Sequence, residues 1–127
     1  MVDAVERALL TPYGLRTLAP GEPEYRPHYR GGPLERDGAY HQGMVWPWLL
    51  GPFVRARLAA HGRTEENLAR CRALVRGLAP HLEDAALGQV SEILEPDPPF
   101  RPVGAPAQAW SVATVLEVLL GELGDGS

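Results

Sequence analysis

The chain has 127 residues, 45% of them hydrophobic, and a net charge of −4 in which all twelve strong bases are arginine. That length fits one ordinary domain, and the interspersed acids and bases leave no basic stripe for nucleic acid. The single cysteine, Cys71, excludes an internal disulfide and fits a reducing compartment. Residues 1–7 carry acids where a signal peptide would carry a basic region. No apolar run approaches the roughly 18–20 residues of a membrane span, so the expectation is a soluble, cytoplasmic protein.

Val2, Val5, Leu9 and Leu10 have helical spacing, and Thr11-Pro12 stops that helix. Residues 11–39 contain Pro12, Pro20, Pro23 and Pro27 and then Gly31-Gly32-Pro33, a density that argues against a long helix or a central strand. Tyr13, Tyr25, Tyr29 and several arginines fit an ordered, substrate-facing loop better than disorder. Residues 48–60 read as a helix with few polar positions, closed by His61-Gly62 and kinked, or begun later, at Pro52. Thr64 is placed as the N-cap of the next helix, with Glu65 and Glu66 in its first turn. Leu68, Cys71, Val75, Leu78 and Leu82 form its apolar stripe. Residues 85–104 are again rich in turns. The last helix is expected to carry Pro106 in its first turn and to be buried nearly all round over 107–120, where Glu117 is the only charge. Residues 121–127 read as a frayed tail. This order predicts an all-α fold of about four helices with long ordered loops, as a toroid arc or a small bundle.

Tyr40-His41-Gln42-Gly43-Met44-Val45-Trp46-Pro47-Trp48 concentrates flat apolar rings beside short neutral donors and acceptors. Sugar rings stack their C–H faces on indoles, while Tyr, His and Gln satisfy hydroxyls without burying net charge. An aromatic knot tying a loop to a helix would use the same residues. Further on, Glu92, Glu95 and Asp97 lie among turn residues ahead of Gln108 and Trp110. Glycoside hydrolysis needs two carboxyl groups, and one of these could serve as such; spacing alone favours an ordinary turn residue for each. Gln42 before Trp46 and Gln108 before Trp110 form a faint internal echo.

Tyr40 to Trp48, Ser91-Glu92-Ile93 with Asp97-Pro98-Pro99, and Ala107-Gln108-Ala109-Trp110-Ser111 together resemble the carboxy-terminal part of prokaryotic-type glycogen debranching enzymes, the amylo-α-1,6-glucosidases. Leu10-Thr11-Pro12-Tyr13-Gly14-Leu15-Arg16-Thr17-Leu18 and Arg36-Asp37 resemble them too, so the likeness runs in order over nearly the whole chain. It implies a partial (α/α)6 toroid, with residues 1–127 as the C-terminal segment of a glycoside hydrolase catalytic domain. It also implies hydrolysis of α-1,6 branch points in glycogen or branched dextrin by an inverting route. By motif, Glu92 is the general base. Arg36, Asp37, Tyr40, His41, Gln42, Trp46 and Trp48 line the glucose subsite, with Gln108 and Trp110 closing it. No metal or organic cofactor is implied, and His28, His41, His61 and His81 lack close metal-ligand spacing. Two departures stand out: Met44 occupies a position where a small hydroxyl residue is expected, and the family's proton donor lies on an earlier segment. The chain is therefore expected to be inactive alone, and to self-associate or bind a complementary N-terminal fragment. The competing readings are a non-catalytic α-glucan-binding module and a helical interaction protein.

Overall fold

The computed structural model describes residues 1–85 and 87–124. Its helices are α1 (Val2–Leu9), α2 (Pro33–Ala39), α3 (Leu50–His61), α4 (Glu65–Arg76) and α5 (Ala109–Glu117). The strands are β1 (Leu10–Thr11), β2 (Gly14–Arg16), β3 (Val45–Trp46), β4 (Ile93–Leu94) and β5 (Pro102–Val103). They form one antiparallel sheet in chain order.

This sheet overturns the expected all-α fold and partial (α/α)6 toroid; the chain is mixed α and β. The reason is physical. Each strand is two or three residues long, too short to display the period of two by which half-buried strands are read. The prolines that argue against a central strand are compatible with ends and edges. Pro102 lies in the edge strand β5, opposite Leu94, and Pro12 pushes the preceding Thr11 into extended backbone. The Thr11 hydroxyl donates to the Gly14 carbonyl at 2.8 Å and accepts from the Tyr13 N–H at 3.3 Å, closing the β1–β2 turn. Gly14 has φ +151°, and a Cβ there would lie 2.6 Å from the Trp46 carbonyl oxygen of β3.

The helices follow the expected pattern more closely. Leu10 leaves α1 in extended backbone and enters β1 directly. A 3-10 turn, Pro47–Leu49, leads into α3, so Pro52 falls in the first turn of that helix, where proline is tolerated. Thr64 caps α4 by accepting from the Asn67 N–H at 3.2 Å. Helix α3 is the hub, touching α1, α4 and α5. One cluster joins Val54 and Leu58 to Cys71 and Val75 of α4 and to Val118 and Leu123. Another joins Leu15, Leu50, Phe53 and Leu78, with Val2, Val5 and Leu9 of α1 packed on it. Leu82, placed on the α4 stripe, lies beyond the helix and is exposed. Among the described residues no helix is long and apolar enough to cross a membrane.

Helix α5 differs from expectation. It begins at Ala109, after Pro106, and Ser111 is its buried residue. Trp110 and Leu116, and Leu119 and Leu120 of the following turn, are exposed. Lack of charge marks this face as apolar, but no neighbouring element among the described residues covers it. Of the expected frayed tail, residues 125–127 lie outside the described residues, and Leu123 is buried.

The α3–α5 contact depends on Gly51, because a Cβ there would overlap Cγ2 of Thr114. Overpacking of this kind costs about 1–3 kcal/mol. Gly51→Ala is therefore expected to lower the urea midpoint, and adding Thr114→Ser, which removes the opposing methyl, to restore part of it. An unchanged midpoint in Gly51→Ala would contradict this close approach.

Candidate functional site

Three segments meet where β2, β3 and β4 end. The first is tied down by Thr17, which follows β2. Its hydroxyl accepts from the Gly43 N–H at 3.0 Å, and its own N–H donates to the Met44 carbonyl at 3.1 Å. Gly43 sits at φ +134°, where a Cβ would press on the Tyr25 ring at 2.8 Å. The chain thus leaves α2, turns through Tyr40 and His41, and enters β3 with Met44, Val45 and Trp46 buried. Met44, at 0% exposure, packs with Trp46 and Ile93. Its side chain serves the floor of the site.

Trp46 holds this turn from below. Its indole N–H donates to the Tyr40 carbonyl at 3.2 Å. Its ring stacks on His41 at 5.2 Å and 9°, and meets Tyr40 edge-on at 4.8 Å. Trp110 stands 6.5 Å from Trp46 at 40°, half exposed on the rim. Tyr40, His41, Trp46, Trp48 and Trp110 line one cleft of about 600 Å3, together with Thr17 and Leu49. All three tryptophans of the chain face it.

The carboxylate arrives from the β4–β5 hairpin. Glu92 precedes β4, and its N–H donates to the Ala105 carbonyl at 2.9 Å. The Ala105 N–H returns a bond to Glu92 Oε2 at 2.9 Å, and Gln108 Nε2 reaches Oε1 at 3.5 Å. The Tyr40 hydroxyl donates to Oε1 from across the cleft wall. Gly104 makes room for this arrangement: it has φ +70°, and a Cβ would lie 2.6 Å from Glu92 Oε2. Burial pushes the Tyr40 phenol well above the ordinary tyrosine value, and the bond to Glu92 and its charge push it further. Tyr40 therefore keeps its proton and remains a donor to the carboxylate.

Not every expected site residue joins this group. Arg36 and Asp37 are exposed on α2 and do not line the cleft. Gln42 is half-buried beside it, its carbonyl accepting from the Arg26 N–H at 2.7 Å. Gln108 reaches Glu92, and both lie behind the residues that line the cleft, joined to it through Tyr40. Glu95 and Asp97, the other two candidate carboxylates, are engaged elsewhere. Glu95 pairs with Arg101 at 3.0 Å, and Asp97 accepts from the Tyr25 hydroxyl at 3.1 Å. Thr17, Leu49 and the Gly104-Ala105 turn went unread in the sequence. Glycine two residues after a proline was the one signal for the turn. No group of three or more His, Cys, Asp or Glu among the described residues could hold a metal ion.

This fold and site define a class. The chain matches the family model described as amylo-alpha-1,6-glucosidase over residues 1–117, and it belongs to that family. Among curated proteins it is similar to the glycogen debranching enzyme of Saccharomyces cerevisiae (strain ATCC 204508 / S288c), with 29% identity over 136 aligned residues. The aligned region covers 92% of this chain and 9% of the yeast protein.

A buried histidine supports the carboxylate segment. His81 Nε2 accepts the Ser91 N–H at 3.0 Å, and the Ser91 hydroxyl donates to the Pro106 carbonyl at 3.2 Å. Burial lowers the His81 pKa below its ordinary 6.5, with Asp84 opposing. Unfolded chains thus take up a proton near pH 6.5 that the folded chain resists, so stability falls as pH drops through that value. Melting temperature is expected to decline between pH 7.5 and about 5.5, and His81→Gln, which keeps an acceptor, to flatten that slope. An equal slope in both proteins would contradict the neutral, buried His81.

Proposed function

We infer that the cleft receives a terminal glucosyl unit at an α-1,6 branch point of glycogen or branched dextrin. Glu92 acts there as the general base of an inverting hydrolysis. One observation carries this reading: Tyr40, half-buried in the lining of a cleft that holds three tryptophans, keeps its proton and donates a hydrogen bond to the Glu92 carboxylate directly behind that lining. Membership of the amylo-alpha-1,6-glucosidase family and similarity to a glycogen debranching enzyme support it.

The geometry supports this chemistry. Indole faces hold the sugar by its C–H surface, and His41 supplies a polar edge to a hydroxyl. Glu92 takes a proton from a water, whose oxygen attacks the anomeric carbon as the bond to the leaving oxygen breaks. Tyr40, Ala105 and Gln108 fix the carboxylate and leave acceptor capacity for that water, because a carboxylate offers about four lone-pair sites. A second carboxyl, about 6.5–9.5 Å away, must protonate the leaving oxygen. We assign it to a separate segment of the catalytic domain, docked beside residues 1–127. The exposed apolar face around Leu116, Leu119 and Leu120 favours such docking or self-association over a free-standing binding module.

Without its acid the chain is expected to bind branched dextrin, with a change in tryptophan fluorescence, and to release no glucose, since general acid catalysis contributes roughly 10²- to 10⁴-fold. When the complementary segment is supplied, Glu92→Gln is expected to abolish most hydrolysis while binding persists. Turnover by this polypeptide alone, or near-normal turnover in Glu92→Gln, would contradict the assignment.

A further inference from the structure

Three residues beyond Glu92, on the far side of β4, a second carboxylate is almost enclosed. Its side chain is 9% exposed. Arg101 grips it with both Nη2, at 3.0 Å from Oε1, and Nε, at 3.3 Å from Oε2. Arg30 Nε lies 3.5 Å and His28 Nδ1 3.6 Å from the same Oε1, and the Tyr29 N–H donates to it at 3.3 Å. The Glu95 N–H also donates to the Arg101 carbonyl at 2.9 Å. One carboxylate therefore fastens three consecutive loop residues, 28–30, to the β4–β5 hairpin. What that fastening places is Tyr29. Its ring lies 6.0 Å from the Tyr40 ring at 41°, and both pack on the cluster of Met44, Trp46 and Ile93.

We propose that Glu95 is a positioning residue of the site, acting through Tyr29 on Tyr40 and, through the Tyr40 hydroxyl, on Glu92. The two glutamates that flank β4 thus divide the work: Glu92 accepts from the cleft-lining Tyr40, and Glu95 orders the Tyr29 ring packed behind Tyr40. Glu95 is suited to nothing else there, since its acceptor sites are filled by Arg101, Arg30 and the Tyr29 N–H. Burial alone would push its carboxyl up. The Arg101 and Tyr29 hydrogen bonds, with the Arg101 charge and the Arg30 bond, outweigh burial and hold it below the ordinary carboxylate value of 4.5. The clasp therefore stays charged well into the acid range, and it opens only when pH falls below that value. The groups facing Glu95 are His28, Arg30, Arg101 and the Tyr29 backbone.

The proposal rests on Glu92 being the reacting carboxylate, but its test need not. Nuclear Overhauser contacts between the Tyr29 and Tyr40 rings are compared in wild type, Glu95→Gln and Arg101→Gln. Affinity for branched dextrin is measured by tryptophan fluorescence in the same proteins and in Tyr29→Ala. Glu95→Gln is expected to lose the ring contacts while keeping a cooperative melt. Its dextrin dissociation constant should rise about three- to tenfold, of the order expected for one lost orienting contact. Tyr29→Ala is expected to reproduce that loss, and the double variant to add nothing further. Arg101→Gln leaves the carboxylate in place and decides the matter if Glu95→Gln does not fold. Intact ring contacts in Glu95→Gln or in Arg101→Gln, or additive losses in the double variant, would overturn the proposal. Failure of wild type to bind dextrin would instead count against the glucan reading, and the ring contacts would still test the clasp.

Discussion

The bond from the Tyr40 hydroxyl to the Glu92 carboxylate joins residues 52 apart in sequence, and the site depends on it. Its donor stands on the turn between α2 and β3, and its acceptor on the residue just before β4. Neither segment is regular enough to place a side chain by itself. Each is pinned by backbone bonds from a third party: Thr17 holds Gly43 and Met44, and Ala105 holds Glu92. The sheet supplies the common reference, since Val45 of β3 pairs with Leu94 of β4. A strand of two or three residues is a weak element, but five such strands in register place the acid within reach of the aromatic turn.

Electrostatics supports the same geometry. A partly desolvated phenol beside a carboxylate keeps its proton, because ionising it would set two negative charges against each other. Tyr40 is therefore a fixed donor. His81 is held neutral by burial and serves as an acceptor for the backbone at Ser91, just before Glu92. Glu95, by contrast, is buried as an ion among arginines, an arrangement that pays its desolvation cost only because several donors converge on it. Tyr40, His81 and Glu95 thus hold three different roles, set by their neighbours.

Much of the site was legible in the sequence because its chemistry is carried by side-chain type. Tyr40, His41, Trp46, Trp48 and Trp110 were expected at one pocket and share one cleft. Thr64 was legible as a cap, since a hydroxyl followed by two glutamates leaves few other readings. The sheet was not legible, because two-residue strands carry no alternation and prolines at their ends mimic loops. Arg36 and Asp37 were placed in the subsite by the family resemblance, and α2 leaves both exposed. Sequence neighbours on a short helix point in directions that only its packing decides. Helix α5 taught the same lesson: an apolar composition says that a face wants covering, and not that anything covers it.

The central claim is that a glucosyl unit lies on the tryptophan wall with its anomeric carbon facing Glu92. A crystal structure of the chain soaked with an α-1,6-branched maltooligosaccharide tests it most directly. The account predicts a sugar ring against Trp46, Trp48 or Trp110, and an ordered water between Glu92 and its anomeric carbon. A glucan bound on another face, or one in this cleft with its anomeric carbon turned away from Glu92, would contradict it.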